Sequence, residues 1–131
     1  MKGAKYARSS LRVLAAAPML VLLACGGQQK AEHLKIASES AVRLQEGVVE
    51  FATSQQRWPS RIEDLKVGGD QLPGVTYGVS DGGMISIWFR EGSSLPGAVL
   101  RYTPRQDASG AVSWTCTSEA LDSELKPAGC V

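Results

Sequence analysis

Histidine is almost missing from this sequence: His33 is the only one in 131 residues. Its scarcity removes most imidazole-based metal sites. It also leaves a Ser/His/Asp arrangement possible only if His33 meets residues from distant segments, which nothing in the sequence requires. No HExxH, GxSxG, P-loop or Rossmann glycine pattern occurs. Gly68-Gly69 and Gly82-Gly83 stand in turn contexts, not in phosphate cradles. CxxC is absent too. Glu63, Asp64 and Asp70 lack the spacing of a calcium loop and read as a solvated loop face. The sequence therefore carries no catalytic constellation, no metal site and no cofactor motif, and the expectation is a protein that is not an enzyme. An apolar run of bilayer length is also missing. The longest, residues 13–24, spans about 18 Å as a helix against a hydrocarbon core of about 30 Å, and Pro18 weakens it further.

What that run does have is a basic preface. Lys2, Lys5, Arg8 and Arg12 precede it with no acidic residue among them, which is the layout of a signal peptide. It ends in Leu22-Leu23-Ala24-Cys25. This tetrapeptide resembles the lipobox of bacterial lipoproteins, in which the cysteine is acylated and cleavage leaves it at the new N-terminus. The resemblance implies that residues 1–24 are removed and that Cys25 is lipidated; residues 25–30, short and polar after the cysteine, then read as a tether between the lipid and the fold. One acyl chain gives marginal membrane binding, and two or more give a lasting anchor. The plainer alternatives are a small apolar residue in an ordinary signal peptide, or a disulfide partner. Gly26 follows the cysteine, where an aspartate would resemble the inner-membrane retention signal. The expected location is the outer membrane, with the domain facing the periplasm or the exterior.

Without its leader the chain changes sign. The whole sequence has 14 Lys plus Arg and 13 Asp plus Glu. Four of the basic residues lie in the leader, so 10 remain against 13 acids and the net charge becomes −3. Such a surface offers no electrostatic reason to expect nucleic acid as a partner. Residues 25–131 suit one domain with one modest core. Once Cys25 is assigned to lipid, Cys116 and Cys130 remain. An even pair in an oxidising compartment reads as a disulfide, worth roughly 3 kcal/mol on the chain-entropy estimate for a loop of about 15 residues. Two free thiols or half a metal site are the alternatives, and the shortage of histidine argues against the second.

Periodicity supplies the elements. Leu34, Ala37, Ala41, Leu44, Val48 and Phe51 recur at spacings of three and four, predicting a helix over residues 31 to about 56. Ile36, Val42 and Val49 widen its apolar side, which suits packing on a sheet. Gly47 costs up to about 1 kcal/mol of helix propensity relative to Ala and marks either a bend or a close contact. Trp58-Pro59 ends the helix, and residues 59–65 predict one short helical turn. Strands are expected over 75–80, 84–90, 98–103 and 111–117, with turns at 81–83 and 104–110. Ile85, Ile87 and Phe89 share one face of the second strand, and Met84, Ser86, Trp88 and Arg90 the other. The fold class expected is α+β: an N-terminal amphipathic helix on a four-stranded antiparallel sheet. With the first face as core, Trp88 and Arg90 lie outward, and with Tyr77 or Tyr102 they form a candidate interaction patch.

These residues also carry a family likeness. The segment over residues 41–59, an apolar-periodic helix closing in Arg57-Trp58-Pro59, resembles the carboxyl half of the long type IV pilin helix and that family's Trp-Pro element. Leu95-Pro96-Gly97-Ala98-Val99-Leu100, Thr103-Pro104, Gly110-Ala111-Val112-Ser113-Trp114-Thr115-Cys116 and Leu125-Lys126-Pro127-Ala128-Gly129-Cys130 resemble that family's last two strands and disulfide-bounded C-terminal loop. The likeness covers residues 31–131. It implies a pilin-like domain, a Cys116–Cys130 bridge, and a loop, with Lys126 and Pro127 in it, that contributes to subunit contact or surface recognition. Pilins, however, begin with a long apolar helix that forms the filament core. Here Gly26-Gly27-Gln28-Gln29-Lys30 and the lipobox occupy that place.

The expected function is a non-enzymatic, membrane-anchored envelope lipoprotein. It would act as an interaction or accessory module, for a type IV pilus or a related secretion system, with an envelope protein partner or by self-association. A small-ligand-binding or hydrolytic envelope protein, using a cleft near residues 81–84 and Arg90, is a second reading. A minor pilin subunit is a third.

Overall fold

The structure is a computed structural model and describes residues 18–131; the basic stretch and the first part of the apolar run, residues 1–17, lie outside the described residues. A first element, α1, spans Pro18–Gln55. Leu34, Ala37, Ala41, Leu44 and Val48 are its buried stripe, the one-sided pattern that a period of 3.6 dictates. α1 starts well before the periodicity does. Residues 26–30, expected as a tether, continue the helix with every residue exposed. The reason is cooperative: a packed stretch nucleates the helix, and Gln28, Gln29 and Lys30 extend it at little cost. The other end stops at Gln56, which adopts φ 58° and donates its N–H to the Ala52 carbonyl at 3.0 Å, an αL cap.

A short 3-10 turn, η1 (Ile62–Asp64), follows. It brings Leu65 and Val67 against the helix. A Cβ built on Gly47 would stand 2.9 Å from Val67 Cγ2 and 3.6 Å from Leu65 Cδ1. Gly47 therefore marks a close contact.

Four strands then form an antiparallel meander in the order β1-β2-β3-β4: β1 Val75–Ser80, β2 Met84–Phe89, β3 Val99–Gln106 and β4 Val112–Glu119. Val79, Ile85, Ile87, Phe89, Leu100, Tyr102 and Cys116 meet the helix stripe in the core. β3 runs further than expected, through Pro104 to Gln106, with Pro104 opposite Trp114. Proline is tolerated there because the β2–β3 pairing ends at Ile85↔Tyr102. By alternation its ring nitrogen faces the side from which β2 has already turned away, so no ladder bond is lost.

The chain end is bridged back to the sheet. Cys116 and Cys130 form a disulfide. Beside it the Val131 N–H donates to the Cys116 carbonyl at 3.1 Å and the Ser118 N–H donates to the Val131 carbonyl at 2.7 Å, so the tail forms a short parallel partner to β4.

Candidate functional site

Strand alternation divides the sheet into a helix-facing side and an open side. Trp88, half-buried, and Arg90, exposed, lie on the open side. Gly78 makes room for the indole: a Cβ there would stand 2.7 Å from Trp88 Cζ3. The Arg90 guanidinium lies 5.6 Å from the Trp88 ring centroid, a cation–π distance, and Arg90 Nε donates to Thr76 Oγ1 at 3.0 Å.

The two tyrosines do not join that patch. Tyr77 pairs with Ile87 and Tyr102 with Ile85, so both share the face of the core isoleucines. Tyr102 is buried, and burial pushes its phenol above the ordinary value of 10.0. Tyr77 is half-buried, and its hydroxyl donates to the Asp70 carbonyl at 2.8 Å. Burial raises its phenol too, with the Asp70 charge adding and the Ser40 hydroxyl opposing. Tyr77 belongs to a network centred on Ser40, which is fully buried. Ser40 Oγ accepts from the Asp70 N–H at 2.8 Å and from Arg43 at 3.3 Å, while Arg43 and Asp70 form an ion pair at 2.8 Å. These contacts hold the loop before β1 against α1. Nothing in the sequence pattern marked Ser40, because a serine within an apolar stripe has the same signature as a lapse in it.

Lys126 is exposed and Pro127 half-buried in the disulfide loop; the Cys130 N–H donates to the Pro127 carbonyl at 3.0 Å. Leu125, just before them, packs on the core. Cys25 falls within the helical backbone of α1, followed by the exposed Gly26 and Gly27.

His33 lies near the N-terminal end of the packed stripe, its Nδ1 2.8 Å from Ser94 Oγ. That contact fastens the helix to the loop after β2. Near residues 81–84, Gly83 is buried, and a Cβ built on it would stand 3.0 Å from Val48 Cγ1 and 3.1 Å from Trp58 Cε3; a shallow hollow of about 480 Å³ lies beside Arg90, with Trp88, Glu91 and Val99 in its lining. A hollow of about 420 Å³ lies elsewhere, between the end of α1 and the β3–β4 hairpin, lined by Ala52, Thr53, Trp58 and Val112 among others. It continues past Val49 into a groove between α1 and the β4 edge, where Val42, Glu46 and Trp114 line the walls. The helical spacing of Val42 and Val49 gave the available signal, yet periodicity placed them against the sheet. Val42 is in fact 54% exposed.

Among the described residues, no group of three His, Cys, Asp or Glu side chains is placed to hold a metal ion. No described helix is long and apolar enough to cross a membrane.

A helix lying on one face of a four-stranded meander, with its tail disulfide-bonded to the last strand, defines a pilin-like head domain. A family model described as pilin (bacterial filament) matches residues 29–131, and the chain belongs to the pilin family. No curated protein matches it.

Proposed function

We propose that this chain is an envelope lipoprotein, anchored through acylated Cys25. Its pilin-type head serves as a non-enzymatic interaction or accessory module for a type IV pilus or a related secretion system. The observation carrying this reading is Leu22-Leu23-Ala24-Cys25 followed by Gly26-Gly27-Gln28-Gln29-Lys30. An assembly helix for a filament core has to be apolar over many turns, and this stretch is polar where the family match begins. A lipid at Cys25 and membership of a filament core are competing uses of the same end of the chain. By its residue after the cysteine, the lipoprotein would sit in the outer membrane.

One observation favours a second reading, a minor pilin. α1 passes from Pro18 to Gln55 without a break, so an uncleaved or differently processed chain would present one long helix. Intact-mass analysis of membrane-extracted protein separates the two. The expected species starts at acylated Cys25 and lacks two hydrogens for the disulfide. The Cys25→Ser variant is expected to leave the membrane fraction and appear soluble in the periplasm. An unacylated mature chain, or one beginning elsewhere, overturns the lipoprotein reading. Cross-linking in intact envelopes then reports whether the head has a specific partner.

A further inference from the structure

The edge of β4 is covered along only half its length. The tail bonds to the Cys116 carbonyl and the Ser118 N–H, so the backbone groups of these residues point out of the sheet. Alternation sends the N–H and C=O of Val112 and Trp114 the same way, and no other segment among the described residues bonds them. Open edges are ordinarily protected by a charge, a proline or a bulge. Val112-Ser113-Trp114-Thr115 has none of these. The opposite edge, β1, has η1 packed beside it.

Beside the open stretch runs the groove between α1 and β4. Its floor is apolar, made by Val42, Val49 and Trp114, and its helix rim carries Gln45, Glu46 and Glu50 with no basic residue in that part of the lining. Glu50 reaches only the exposed Lys66, at 3.9 Å. Glu46 enters no ion pair among the described residues.

We propose that this groove receives an extended segment of a partner protein as a fifth strand of the sheet. Its backbone bonds to Val112 and Trp114. An apolar side chain fills the space at Val42 and Val49, and a flanking lysine or arginine meets Glu46 and Glu50. Four paired residues span about 13 Å, the length of edge left open before the tail. Such strand addition takes affinity from main-chain bonds and specificity from alternate side chains. A second copy of this chain fits less well, because two-fold pairing of the β4 edges would bring two acidic rims together. The inference rests on the reading of the domain as an interaction module.

The test uses full-length protein in detergent micelles. The probe is a labelled, capped peptide of alternating threonine and valine with one lysine at each end, followed by fluorescence anisotropy and amide hydrogen exchange. Saturable binding with slowed exchange at Val112 and Trp114 is expected. Glu46→Lys should weaken it roughly tenfold and shift preference to the same peptide with glutamate ends. Val112→Pro removes an outward N–H without touching the β3–β4 ladder, and should also weaken binding while the fold, read by circular dichroism, is retained. Absence of saturable binding overturns the proposal, as does equal binding by Glu46→Lys. Protection of the same two amides by self-association without peptide overturns it as well and assigns the edge to a second copy. If the peptide fails while cross-linking finds a specific partner elsewhere on the head, the groove is rejected and the module reading survives.

Discussion

Ser40 illustrates how one polar atom can be kept in an apolar stripe. It stands between Ala37 and Ala41 with no exposed surface, where an unpaired hydroxyl would be costly. Its oxygen instead accepts the Asp70 N–H at 2.8 Å and contacts the Tyr77 hydroxyl at 3.4 Å. The Ser40→Ala substitution loses little volume, so the effect is in the partners. The Asp70 N–H is left without its acceptor, and the Arg43–Asp70 pair loses the anchor beside it. Leaving such a donor unsatisfied costs about 1–3 kcal/mol. Urea unfolding of the variant should show a lower midpoint with an unchanged slope, since the surface exposed on unfolding stays the same. An unchanged midpoint would mean that water replaces the hydroxyl.

Among the elements, α1 shows what pattern can and cannot reveal. The buried stripe from Leu34 to Val48 was legible because only a helix puts residues three and four apart on one face. Alternation likewise made Ile85, Ile87 and Phe89 legible as core and Trp88 as outward. The same alternation, without the register, could not place Tyr77 and Tyr102. A phenol suits either face, and the pairing with Ile87 and Ile85 decided it. The helix over residues 26–30 escaped notice because no packing maintains it. Nothing lies within 4 Å of a Cβ built on Gly26 or Gly27, so these two glycines bring only their backbone entropy to the helix. Gly26→Ala and Gly27→Ala should each stabilise this stretch by up to about 1 kcal/mol. Amide exchange at residues 28–30 should slow in the variants, while exchange in β2 and β3 stays as it was. Slower exchange throughout the domain would instead mean that the exposed turn and the head unfold as one unit.

At the scale of the whole molecule, a four-stranded sheet with one face against a helix still has two edges to protect. β1 has η1 beside it. β4 relies on the tail, and the tail relies on the Cys116–Cys130 bond, since residues 122–131 are mostly irregular. Leu121 and Leu125 pack against the core, but among the described residues the only ladder-like bonds of the tail are those around Cys116, Ser118 and Val131. The disulfide thus has two duties. It limits the unfolded chain, worth about 3 kcal/mol for a loop of this size, and it keeps half of the β4 edge closed. The paired Cys116→Ser and Cys130→Ser variant separates them. A domain of about 100 residues loses roughly 4–8 °C per kcal/mol, so its thermal midpoint should fall by roughly 10 °C or more. The open edge should also lengthen from residues 112–115 to 112–119, offering an unpaired template to other chains. Aggregation below the new midpoint, suppressed by Val112→Pro, would tie that association to the edge. Destabilisation without such aggregation would mean that the tail stays in place on Leu121 and Leu125 alone, and that the bond acts only through the unfolded state.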